Sequence, residues 1–258
     1  SKIKSKQTVK FSGKNIPISE AEGKIKELKS QKERIELQDK IMEKYESLAE
    51  IAESELNSIV IDKKISDELR GFKESYDATI LGYENDRETV LNLVKIVTQS
   101  FPVAHKFYTL KAKMLGVKKL YYADRAASVG KNRQKISYEE SYEILQNLFD
   151  SLDPKFGEIL KNFVEKGQID AFPKVGKTGG AYCSGSSKCP TFVLLNHVDS
   201  PNSLSTFAHE MGHAIHTEFS KVQPSIYKGY STSTAEVAST LFETFLFYDR
   251  FEKMNKEE

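Results

Sequence analysis

Apolar positions in the first hundred residues recur with a helical period. Leu28, Ile35, Met42, Tyr45, Ala49, Ala52, Leu56 and Ile59 follow a seven-residue rhythm, with Lys and Glu at most intervening positions. That spacing predicts one long helix with a single apolar face. Ser19 with Glu22 three residues later is a capping-box pattern and marks its start. Residues 1–17 lack a period and read as extended, with Gly13 and Pro17 as turn signals. A helix of this length needs a neighbour, and residues 66–83 are expected to return antiparallel after a short stretch at 62–64. Gln31 and Gln38 interrupt the seam, which favours an intramolecular helical hairpin over a self-associating coiled coil. Asn85 with Glu88 opens a further helix through Val90, Leu91, Leu93, Val94 and Val97, which Pro102 kinks or breaks.

After Gly116 the pattern loosens, and residues 120–130 read as a loop. Ser137 with Glu140 forms another capping box, and Asp153 before Pro154 places an N-cap ahead of a first-turn proline, so two helices fit between 138 and 166. Gly176, Gly179, Gly180 and Gly185 then crowd a short region, followed by a compact strand candidate at 191–196, TFVLLN. The DSPN of residues 199–202 starts a helix whose apolar stripe is Leu204, Phe207, Met211, Ile215 and Phe219. Residues 234–248 read as a last helix, apolar on most sides. The expected fold is mainly α with a small β-element near the last two helices. Its parts are a helical segment, 1–115, and a site-bearing portion, 116–258, forming one continuous domain.

Composition narrows the function classes. The 258 residues are 39% hydrophobic and 29% charged, and the longest apolar runs fall far short of a membrane span. A net charge of +1 argues against bulk attraction to nucleic acid or to an anionic membrane. The basic opening SKIKSKQTVK is not followed by a signal-type apolar stretch, so a cytoplasmic protein is expected. Cys183 and Cys189 are too few for a disulfide framework and too far apart for a CxxC clip, and read as reduced thiols in a loop.

Three of the five histidines lie in STFAHEMGHAIHTEFS, residues 205–220. His209 and His213, four apart on a helix, project from one side a turn apart, where two imidazoles can share one ion. Glu210 lies about 100° around the helix from His209, placed to act on water as a general base without ligating. His216 is on the same face but roughly 10 Å along the axis from His209, better placed to hydrogen-bond around the site than to ligate. Gly212 in a helix interior costs roughly 1 kcal/mol relative to alanine, which points to another segment passing too close for a side chain. A zinc site of this kind needs a third protein ligand and one position for water. Glu236, Ser239, Thr240 and Glu243 are the only polar stripe of the last helix. Two carboxylates on an apolar helix need coordination or hydrogen bonds to offset burial, which assigns Glu236 as third ligand and Glu243 as a partner orienting a ligating histidine.

HEMGHAIH followed by AEVAS, preceded by GGAYCSG and TFVLLN, resembles the oligoendopeptidase F branch of the thimet-oligopeptidase-like zinc metallopeptidases. The similarity extends upstream through FSGKNIPIS and LGVKKLYYADRAA. The resemblance implies a cytosolic, mostly helical endopeptidase that admits short peptides into a deep channel. It puts one Zn2+ on His209, His213 and Glu236, with Glu210 as general base. It also places Gly180, Ala181 and Tyr182, with strand 191–196, along the substrate cleft, at an edge able to pair with an extended peptide. Neither nucleic acid nor membrane is an expected partner, and cobalt or manganese suits the same ligands.

A tetrahedral oxyanion needs donors besides the metal, and the resemblance places them in a segment after the zinc-ligand helix. This chain stops at FEKMNKEE, with no histidine after His216, and begins at Ser1, so a fragment of a longer peptidase is expected. Tyr227 and Tyr230 precede Glu236 and match none of those donors. The competing reading is a non-catalytic helical module that binds peptide or holds zinc structurally, for which Glu210 would have no use.

Overall fold

The computed structural model describes residues 3, 6–129, 135–186 and 189–253. The mainly helical expectation holds: ten α-helices, two 3-10 turns and two small sheets make up the regular structure of these residues. The chain opens with a hairpin of β1 (Thr8–Phe11) and β2 (Lys14–Pro17). Its two-residue turn puts Ser12 and Gly13 at positive φ, 47° and 80°, the conformation tight hairpins favour. Helices α1 (Ile18–Glu27) and α2 (Gln31–Glu46) pack on this hairpin through Val9, Ile16, Ala21, Ile25, Leu37 and Ile41.

The single long helix of the sequence reading is thus three helices. The chain is extended at Leu28 and again at Ser30, whose hydroxyl accepts from Glu33 N–H as the N-cap of α2. Ser19 lies inside α1 and caps nothing; the N-cap there is Pro17. The buried face of α2 is Arg34, Leu37 and Ile41, while Met42 is exposed, because Arg34 is drawn inward by Asp124. Arg34 Nε donates to Asp124 Oδ1 at 2.8 Å, and both side chains are buried. Asp124 also accepts from Gln31 Nε2 and from Tyr121 N–H. It sits in a 3-10 turn, Tyr122–Asp124, within the stretch expected to be a loop. Gly130, at the end of that stretch, lies outside the described residues.

No turn forms at 62–64. Helix α3 (Ala49–Leu69) runs through it, and the chain turns at Gly71, φ +74°. Helices α4 (Asp77–Gly82), α5 (Arg87–Gln99) and α6 (Phe101–Met114) follow. The cap of α5 is Asp86, accepting from Thr89 N–H at 2.8 Å, one residue beyond the expected Asn85. Pro102 opens α6, so the helix breaks there as its chemistry requires. Helices α3, α5 and α6 bury no residue, and Leu56, Ile59, Leu93, Val94 and Val97 are exposed. The expected hairpin of long helices is therefore not packed.

The second core lies between α7 (Tyr138–Leu152), α8 (Pro154–Glu165), a three-stranded sheet and the last two helices. Ser137 and Glu140 make the full reciprocal capping box, and Asp153 caps α8 ahead of Pro154, both as the sequence indicates. The sheet has the order β3 (Ile169–Asp170), β5 (Phe192–Leu194), β4 (Tyr182–Ser184). Strand β5 is paired on both sides, parallel to β3 and antiparallel to β4. The strand at 191–196 is thus central, and the edge beside Gly180 and Ala181 belongs to β4. Helices α9 (Pro201–Ser220) and α10 (Thr232–Lys253) pack along each other over Phe207, Met211, Ile215, Phe242 and Leu246. None of the helices is long and apolar enough to cross a membrane among the described residues.

Candidate metal centre

Helix α9 is capped by Ser200, whose hydroxyl accepts from Ser203 N–H, with Pro201 in the first turn. From that start its apolar stripe turns into the core and carries His209 and His213 to the opposite side, facing α10. The two helices approach closely at Gly212. A methyl group there would lie 2.7 Å from Ser239 Cα and 3.0 Å from Ala238 O. The small residues of α10 meet the one residue of α9 without a side chain, and this contact brings Glu236 opposite the two histidines.

His209 Nε2 lies 3.4 Å from Glu236 Oε2, and His213 Nε2 lies 3.8 Å from the same oxygen. One ligand atom from each residue falls within 4.8 Å of the other two. Zinc bonds of about 2.0–2.1 Å in tetrahedral geometry put ligand atoms about 3.3 Å apart, so this donor set is the right type and nearly the right size for a divalent ion. His209 turns its other nitrogen, Nδ1, to Glu243 Oε2 at 3.3 Å. Glu243 is itself held by Ser205 Oγ, which donates to Oε1 at 2.6 Å. This chain of contacts fixes the ring so that Nε2 points to the cluster. Ser239 Oγ similarly donates to Glu236 Oε2 at 2.9 Å.

Glu210 is buried beside the cluster, and its Oε2 has no hydrogen-bond partner. Burial raises its pKa; the His209 ring opposes this, the Glu236 carboxylate adds to it, and the Cys183 backbone N–H opposes it. Burial likewise lowers the pKa of His213, against the pull of Glu236, keeping the imidazole neutral and able to ligate. Strand β4 passes next to Glu210, and Cys183 there has its thiol pushed up to about 12, first by burial and then by the Glu210 charge. Cys183 and Cys189 are both free.

Among the described residues no hydrogen bond joins the His216 ring to the cluster. That ring stacks on Tyr230 at 4.3 Å between centroids, and its buried Nδ1 has no partner. The sequence reading also missed His197, a buried histidine between Ser141 and Asp199. Ser141 Oγ is 3.1 Å from its Nε2, and Asp199 Oδ1 is 3.5 Å from its Nδ1. This resembles a hydrolytic triad, but the Asp199 backbone N–H donates to Nδ1, so the ring proton sits on Nε2 and is given to Ser141. A triad requires the opposite tautomer and an accessible hydroxyl, whereas Ser141 is fully buried. The contact holds α7 to the segment leading into α9.

The model of peptidase family M3 matches residues 25–257. The chain belongs to this family. Curated relatives of this M3 chain include the oligopeptidase PepF of Bacillus subtilis, 31% identical over 187 residues, covering 67% of the chain and 28% of the relative. The oligoendopeptidase F homolog of Borreliella burgdorferi is 30% identical over 181 residues, covering 69% and 31%. The chain thus spans less than a third of these relatives' length. Among solved structures, PZ peptidase A with an inhibitor superposes with a TM-score of 0.85 at 21% identity, covering 95% of the chain and 45% of that structure. Oligoendopeptidase F of Enterococcus faecium gives 0.51 at 17% identity, covering 97% and 37%. At these identities the structures establish the shared fold.

Proposed function

We propose that this M3 chain carries a zinc-dependent centre that hydrolyses short peptides. His209, His213 and Glu236 hold the ion, and Glu210 is the general base. The observation that carries the reading is the convergence of two Nε2 atoms and one carboxylate oxygen on a single point, 3.4 and 3.8 Å apart, next to a buried carboxylate with an unpartnered oxygen. A divalent ion there supplies a Lewis acid, acidifying water and polarising a peptide carbonyl.

The work of the chain's own residues is positioning and proton handling. Glu243 takes the Nδ1 proton side of His209 and keeps its Nε2 aimed inward. Glu210 would take a proton from water at its unpartnered Oε2 and pass it to the departing amine. The exposed edge of β4, from Gly180 through Ala181 to Tyr182, offers main-chain groups to an extended peptide. Zinc as the ion, short peptides as substrates, a cytoplasmic setting and a division of the chain at 115–116 belong to the same proposal.

The test is cleavage of a fluorogenic short peptide, with zinc supplied and with chelator. Glu210→Gln is expected to retain the metal and lose about 10²–10⁴-fold in turnover, the usual contribution of a positioned acid–base group. A Gln variant that keeps both metal and full turnover would remove Glu210 from the mechanism.

A further inference from the structure

A cavity of about 320 Å³ opens beside Glu210, and its far wall comes from the other core of the molecule. Helix α1 supplies Ser19, Glu22 and Lys26; the near wall is Gly180, Asn196 and Glu210. Glycines set the approach. A methyl at Gly23 would lie 2.9 Å from Val198 Cγ2, and one at Gly179 would lie 3.6 Å from Ser19 Cβ and 4.0 Å from Glu22 Oε2. Helix α1 is therefore pressed onto the rim that leads into β4, and Glu22 stands over that rim.

Glu22 is held in place from behind. Tyr45 O–H donates to its Oε1 at 2.5 Å, and this bond, after burial, raises the Tyr45 pKa. Among the described residues no cation within 4 Å pairs with Glu22, although Lys26 stands one turn along the same helix. Asn196 braces the opposite side, with Nδ2 donating to Thr178 O at 3.0 Å and Gly180 O at 2.7 Å. Two polar atoms of the wall residues, Ser19 Oγ and Asn196 Oδ1, are buried without a partner. Among the described residues the fold thus leaves an oriented carboxylate, unpaired by a cation, on the wall of a polar cavity that reaches the proposed general base.

We propose that Glu22 is a specificity residue: it selects peptides that carry a cationic group, a free amino terminus or a Lys or Arg side chain, in the segment lying along the Gly180 rim. This rests on the peptidase reading and goes beyond it in naming the substrate feature. Glu22 touches no reacting atom, so its effect belongs to binding and not to turnover of bound substrate.

The chain contains no tryptophan, so a single Trp in a peptide reports binding directly. Three otherwise neutral heptapeptides are titrated into metal-free protein, which cannot turn them over: one acetylated, one with a free amino terminus, and one acetylated with a single Lys near that end. At low salt at least one cationic peptide is expected to bind about fivefold tighter than the neutral one, the size an exposed ion pair supports, with the advantage fading in 0.5 M salt. Which cationic peptide gains identifies the source of the charge. Glu22→Gln is expected to erase the preference and Glu22→Lys to invert it, while Lys26→Gln enlarges it. Equal affinity for all three peptides, or a preference that survives Glu22→Lys, overturns the assignment and leaves the peptidase reading standing. Failure of the parent protein to bind any of them overturns the assignment, and cleavage of the same peptides by the zinc-supplemented chain decides the peptidase reading separately.

Discussion

Gly212→Ala tests whether the close approach of α9 and α10 is what assembles the cluster. The new methyl group would sit 2.7 Å from Ser239 Cα and 3.2 Å from Phe242 Cδ2. The first neighbour is backbone in the middle of a helix and cannot rotate away. Opening 2.7 Å to the 3.4 Å of ordinary contact requires the helices to separate by about 0.7 Å. Overpacking of this kind costs about 1–3 kcal/mol, and replacing glycine within a helix returns about 1 kcal/mol. The net expectation is a loss of up to about 2 kcal/mol, which for a chain of this size lowers the melting temperature by up to about 8 °C. The same separation carries Glu236 away from His209 and His213, because Ser239 lies one turn from Glu236 on α10. Zinc affinity, measured by competition with a chromophoric chelator, should therefore fall by more than the stability loss explains, at least tenfold. A variant as stable as the parent with unchanged zinc affinity would refute the packing argument.

Two further expectations concern parts of the fold remote from the cluster. Arg34→Met leaves Asp124 buried without its cation and should cost about 3–5 kcal/mol in urea unfolding; a loss under about 1 kcal/mol would contradict the buried pair as described. His197 has its pKa lowered by burial, against the neighbouring Asp199 charge. The unfolded chain therefore binds more protons than the folded one below pH about 6.5, and the stability tied to neutral His197 is lost as pH falls from there through the folded pKa. His197→Gln should show a shallower fall in melting temperature between pH 7 and 5 than the parent, and an equally steep fall would exclude this role.

The sequence made the site region legible because its chemistry is local. The spacing of His209, Glu210 and His213, the capping signals at Ser137 and Asp153, and the polar stripe on α10 each follow from one helical period. The first half of the chain was harder to read for a physical reason. A seven-residue rhythm continues across the extended residues at Leu28 and Ser30, so apolar spacing alone does not reveal the break. Ser30 with Glu33 carried the cap signal that marks it. The inward turn of Arg34 depends on Asp124, ninety residues away in sequence, and no local pattern announces such a partner. His197 was equally invisible, since its role comes from Ser141 on another helix. The central position of β5 depends on β3, two residues long and without a periodic signature.

The central claim is that His209, His213 and Glu236 form one three-ligand metal site. Native mass spectrometry of the zinc-supplemented chain, run beside Glu236→Ala, tests it most directly. About one zinc per chain is expected in the parent, with loss or sharp weakening in the variant. A parent that binds no zinc, or a variant that binds it as well as the parent, would contradict the three-ligand site.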